Sequence, residues 1–188
     1  MTSEVGAGPD KAAVKPAPKT ANYVSPRTVA LYGILTALTA AVTYASYTPY
    51  SPTKGYFNLG ESMVFFSALF FGFRAGAICG GVGSAAADLL LGSAMFAPIT
   101  LVAKGAEGAV AGILGKSGKT YAIVLGIAIG GACMVTTYFL SEWLLLDLGF
   151  GKALAEVPIN IAQVALGGTI GALLTHYVRK AYPSISPA

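Results

Sequence analysis

The 188-residue sequence predicts an all-α integral membrane protein: six transmembrane helices in one compact bundle, with the N- and C-termini cytoplasmic. Three observations predict it. First, hydrophobic residues make up 55% of the chain and charged residues 11%, for a mean hydropathy of +0.68. That leaves too few charges to solvate a globular surface. Second, a crossing needs about 20 mostly apolar residues, and the chain after Pro26 divides into six apolar stretches with short connections. Third, the basic residues fall on alternate connections. With the tail inside, Lys11, Lys15, Lys19, Arg27, Arg74, Lys116, Lys119, Arg179 and Lys180 share one side, while only Lys54 and Lys152 lie on the other. Nine against two follows the positive-inside bias. The net charge of +4 is therefore read as a topology signal in a lipid bilayer, and no nucleic-acid partner is expected.

Residues 1–26 mix Lys with Ala, Pro, Gly and Thr without an apolar run, which predicts a flexible cytoplasmic tail and no secretory signal. The membrane domain is expected over 27–182, with a short C-terminal tail over 183–188. The first span, 27–47, carries Gly33, Ala37, Ala41 and Ala45 at four-residue spacing, a ridge of small side chains on one helical face. Such a ridge admits a second helix at close range, either within the bundle or from a partner. Residues 48–60, with two prolines, two glycines and aromatic rings, read as a structured loop able to cover the bundle or to anchor at the interface.

The second span, 59–73, is short, and the chain is expected to turn at Arg74. The third, 75–91, is preceded by Gly72 and carries Gly76, Gly80 and Ser84, again four apart, so it is expected at the centre, with Asp88 on the same face. The fourth, 96–115, opens with Pro98 in a first-turn position and holds Lys104, Glu107, Gly108 and Gly112. GKSGKT, 115–120, lacks the glycine spacing of a phosphate-binding loop and reads as a basic turn between helices. The fifth span, 121–146, ends with Glu142 and Trp143. A second polar connection, 147–158, precedes the sixth span, 157–177, where Asn160, Gln163, Gly167 and Gly171 share one face. Cys79 and Cys133 read as buried small hydrophobes, and His176 as a helix-end residue beside Arg179 and Lys180.

Ionisable groups at membrane depth are costly enough to require a reason, roughly 2.5 to more than 10 kcal/mol each. The topology places Asn58, Glu61, Asp88, Glu142, Trp143, Asn160 and Gln163 toward the external half, with Lys104 and Glu107 forming a deeper floor. These groups suggest a pocket open to the outside, covered by the 48–60 loop and in part by 147–158. Lys104 can meet a carboxylate or phosphate, Asp88, Glu61 or Glu107 can accept from amines or hydroxyls, and Trp143 or Tyr56 can stack on a ring. Alternatively, Lys104 and Glu107 neutralise each other and leave the amides to bind a neutral ring. The inner halves of the spans are apolar, which argues against a conducting pore. No nucleophile elbow, histidine pair or metal-ligand set is present, so no catalytic residue, metal or cofactor is expected and the chain is read as a non-enzyme.

YFNLGES at 56–62, GSAAADLLLG at 83–92 and APITLVAKGAEG at 97–108 together resemble the substrate-binding S component of energy-coupling-factor (ECF) vitamin transporters. The resemblance covers about 28–180. It implies a six-helix, multi-pass protein of the prokaryotic plasma membrane that captures a small heterocyclic vitamin or precursor. It further implies association with a transmembrane coupling (T) subunit and two cytoplasmic ATPase subunits. In that family an AxxxA-type motif of the first span docks on the coupling subunit, and Ala37 and Ala41 match it, with Gly33 and Ala45 extending the ridge. The substrate-binding expectation rests on depth and chemistry: Asn58, Glu61, Asp88, Lys104, Glu107, Trp143, Asn160 and Gln163. Two other classes stand beside it, a stand-alone proton-coupled secondary transporter and a ligand-free membrane assembly protein.

Overall fold

The structure, a computed structural model, describes residues 25–49 and 55–183. Residues 1–24 of the expected 1–26 tail, residues 50–54 of the expected loop, Lys54 among them, and residues 184–188 of the expected 183–188 tail lie outside the described residues. Helix α1, Pro26–Ala45, begins where the Ser25 hydroxyl accepts the Thr28 backbone N–H at 3.2 Å, with Pro26 in the first turn where its missing N–H costs nothing. An antiparallel pair follows, β1 Thr48–Pro49 and β2 Tyr56–Phe57. Then come α2 (Glu61–Phe71), α3 (Phe73–Leu90), α4 (Ala97–Leu114), α5 (Thr120–Leu140, continued by a π-type turn over Ser141–Leu145) and α6 (Phe150–Ala181).

Two boundaries differ from expectation for identifiable reasons. The chain turns at Gly72, at φ +88°, rather than at Arg74, because this backbone conformation is open mainly to glycine. Arg74 therefore sits in the first turn of α3, and Gly72 drops out of the expected ridge, leaving Gly76, Gly80 and Ser84 buried. The 147–158 stretch is helical from Phe150 onward, so it is not a covering loop. Pro158 lies inside α6, where it forgoes only the backbone bond to the Leu154 carbonyl.

Four helical segments are long and apolar enough to cross a membrane: Pro26–Ala45, Ala97–Ser117, Thr120–Leu145 and Phe150–Ala181. The 11 residues of α2 span only about 17 Å at 1.5 Å per residue. The glycine- and alanine-rich α3 is not among the four.

Glycines set the packing. α3 lies against α1, α2 and α4, most extensively against α4. At the α3–α4 crossing, a Cβ on Gly76 would stand 2.5 Å from the Gly108 carbonyl oxygen. Gly126 and Gly130 bring α5 equally close to α4, where added Cβ atoms would meet the Ala111 and Glu107 carbonyls at 2.9 and 2.8 Å. Lipid supplies no hydrophobic expulsion between helices, so this close approach provides the van der Waals contact that holds the bundle. The α1 ridge behaves differently. Gly33, Ala37, Ala41 and Ala45 are all exposed, while Leu35, Thr39 and Thr43 are buried on the opposite face.

Consecutive helices alternate in direction, which gathers Arg27, Arg74, Lys116, Lys119, Arg179 and Lys180 at one end of the bundle. There Arg179 donates to the Leu69 carbonyl at 2.6 Å, tying the end of α6 to α2. The GKSGKT stretch forms the turn expected of it, closed by Gly118 at φ +67°. The hairpin, the α3–α4 turn and the α5–α6 turn occupy the other end. Both cysteines are free; Cys79 is buried as expected, whereas Cys133 is half-buried.

Candidate ligand site

Between the helices, near the hairpin end, three charges meet in the core. Lys104 of α4 is ion-paired with Glu61 at the start of α2 and lies 3.7 Å from Glu107, one turn along its own helix. All three are buried. Glu61 reaches this depth because α6 presents Gly167 to it, where any Cβ would collide with the Glu61 side chain. The Lys104–Glu107 pairing anticipated from spacing is thus a triad, with two carboxylates facing one ammonium. Its arrangement could not be read from α4 alone, since Glu61 arrives from another helix.

Above the triad lies a cavity of about 40 Å³, floored by Lys104. Of the expected binding residues, Asn58, Asp88, Lys104, Asn160 and Gln163 line it, while Glu61 and Glu107 stand behind Lys104 rather than on the wall. Trp143 does not belong to it. That ring is 39% exposed and packs on Phe139 and Phe150 at centroid distances of 5.9 and 5.3 Å. The cause is the π-type turn, which widens the end of α5 and sends Glu142 inward, fully buried, while its neighbour Trp143 faces out.

The amides form a closed network. Gln163 Oε1 accepts the Asn58 backbone N–H at 2.6 Å and Asn58 Nδ2–H at 2.9 Å, and Gln163 Nε2 donates to Asn160 Oδ1 at 3.2 Å. Asn58 Oδ1 in turn accepts the Gly60 N–H at 2.8 Å, shaping the entry to α2. Tyr56 of β2 donates to Asp88 Oδ1 at 2.5 Å, so the hairpin is fastened to α3 as well as to α6. Burial, reinforced by the adjacent Asp88 carboxylate, raises the Tyr56 phenol above its ordinary titration range and keeps it a donor.

Several wall residues escaped the sequence reading. Thr43 lies on the buried face of α1, opposite the ridge that drew attention. Thr100 and Tyr138, hydrogen-bonded at 2.8 Å, join α4 to α5 beside the cavity. Glu142 was placed in the outer half without a role, and its inward aim depends on the widened turn. Glu156 fell in the stretch read as a loop. Helical phase through 150–160 would have aligned Glu156 with Asn160 and Gln163, at offsets of four and seven.

Comparison with known proteins places the chain. The family model described as ECF-type riboflavin transporter, S component, matches residues 23–180. The chain is 38% identical over 133 residues to the "Uncharacterized protein in gap 3'region" of Pyrococcus woesei, covering 70% of this chain and 88% of that protein. It is 26% identical over 117 residues to the thiamine precursor transporter HmpT of Lactococcus lactis, covering 62% and 66% respectively. The solved S component of a bacterial ECF transporter superposes with a TM-score of 0.64 at 17% identity, over 81% of this chain and 98% of that one, and so shares the fold. The resemblance carried by YFNLGES, GSAAADLLLG and APITLVAKGAEG is borne out. The family comprises transporter components rather than enzymes, and its apolar helices make this a multi-pass membrane protein. The chain belongs to the ECF-type riboflavin transporter S component family.

Proposed function

We propose that this chain is the substrate-capture subunit of an ECF-type importer, taking a small heterocyclic vitamin or precursor from outside the cell. The observation that carries this reading is a polar cavity, walled by five elements and sealed by the hairpin, at the end of the bundle opposite its basic belt. In this orientation the chain crosses the plasma membrane six times, α2 and α3 included, with both termini cytoplasmic. Ligand pockets usually measure roughly 300–1,000 Å³, so a cavity of about 40 Å³ must expand to admit a heterocycle. The Tyr56–Asp88 and Asn58–Gln163 bonds are the contacts that must break for the hairpin to open.

Asn58, Asp88, Lys104, Asn160 and Gln163, joined by Tyr56 and Glu142, contact the ligand. Glu61 and Glu107 hold Lys104. Gly33, Ala37, Ala41 and Ala45 form the surface that docks on a transmembrane coupling subunit, which two cytoplasmic ATPases energise. The exposure of the entire ridge supports that assignment, because nothing within the chain covers it among the described residues.

Uptake of labelled thiamine or riboflavin in cells expressing the chain with and without the coupling subunit and both ATPases tests this reading. Accumulation should require the ATPases and persist when the proton gradient is collapsed with cellular ATP maintained. Uptake that survives without the ATPases and vanishes on collapsing the gradient would instead establish a proton-coupled carrier.

A further inference from the structure

Resting on the capture reading above, we infer that the ligand is a basic, nitrogen-bearing heterocycle carrying positive charge, and that Asp88 and Glu142 are the carboxylates that receive it. The cavity wall is acidic. Among the described residues it presents the carboxyl groups of Asp88, Glu142 and Glu156 and the single ammonium of Lys104. That ammonium already faces Glu61 and Glu107, so no spare positive charge remains to hold an anionic ligand.

The remaining polar groups point the same way. Asn58 and Gln163 bond to each other and Gln163 donates to Asn160 Oδ1, so the buried wall atoms left without a partner are the Thr43 hydroxyl, the Lys104 ammonium already facing its carboxylates, and carboxylate oxygens. Asp88 and Glu142 differ from the amides. Asp88 is 1% exposed and its Oδ2 has no donor, while Oδ1 takes the Tyr56 hydroxyl; Glu142 is 0% exposed and its carboxyl meets that of Glu156, with no N–H donor on either oxygen. A buried carboxylate without a donor is costly to maintain. These two come from different elements, α3 and the π-type turn, yet converge on one cavity. A protonated ring nitrogen or amine supplies both what they lack, N–H donors, and the opposite charge, as a charge-assisted hydrogen bond. An uncharged isoalloxazine or a carboxylate-bearing ligand supplies no such charge, so the family's description does not settle the substrate of this chain.

Isothermal titration of the full chain in detergent tests the inference with four probes: thiamine and pyridoxamine as cations, riboflavin as an uncharged ring and pantothenate as an anion. At least one cation should bind tenfold or more tightly than riboflavin and pantothenate. Glu142→Gln and Asp88→Asn, which keep the shape of each side chain, should each weaken that cation at least tenfold without lowering the melting temperature. Tightest binding of riboflavin or pantothenate, with the ranking unchanged in both variants, would overturn the charge inference and leave the capture reading standing. No binding of any probe to folded protein would count against both.

Discussion

Lys104→Ala should destabilise the protein by about 3–5 kcal/mol, the usual cost of removing one partner of a buried ion pair. The substitution leaves Glu61 and Glu107 facing each other in the core with no cation between them. Thermal unfolding in detergent should show a large drop in midpoint, accompanied by loss of ligand binding. Replacing the whole triad, as Lys104→Met with Glu61→Met and Glu107→Met, should recover most of the stability, because a buried ionic cluster exchanged for hydrophobic groups of similar volume is often close to neutral. Binding should remain impaired in the triple variant, since Lys104 also floors the cavity. A melting midpoint unchanged by Lys104→Ala would mean that the triad does not hold α2 against α4.

Ala41→Trp should have the opposite profile. Ala41 is exposed and lies on the face of α1 turned away from Leu35, Thr39 and Thr43. Exposed substitutions usually alter stability by no more than about 0.5 kcal/mol. The bulk should instead be felt by a helix that packs on the ridge, where close approach depends on small side chains. Copurification with the coupling subunit should be lost and uptake should fall at least tenfold, while ligand affinity in the isolated chain stays within about twofold. Ala37→Trp should behave alike. A Trp variant that copurified normally would remove this face from the interface.

Composition, the helical membrane character and the small-residue ridges were legible in the sequence because they depend on local chemistry. Lipid demands apolar stretches of fixed length, and close helix crossings demand glycine or alanine wherever they occur. The grouping of Asn160 with Gln163 and the placing of Asp88 followed from helical periodicity alone. What could not be read were features set by more than one helix or by departures from α geometry. Glu61 pairs with Lys104 because Gly167 of α6 opens the space, a relation between α2, α4 and α6. Trp143 was expected in the pocket and Glu142 takes that place, because a single widened turn changes which of two adjacent residues faces inward. Glu156 was lost to a proline. Gly149, Gly151 and Pro158 look like loop punctuation, yet Pro158 is accommodated inside a 32-residue helix.

The measurement that bears most directly on the capture role is mass spectrometry of small molecules released when the purified chain is denatured, with Glu142→Gln as the control. A stoichiometric heterocycle with a basic nitrogen should be released from the native sequence and depleted in the variant. A folded protein that releases nothing, and that no vitamin or precursor in a broad panel stabilises against heat, would contradict that role.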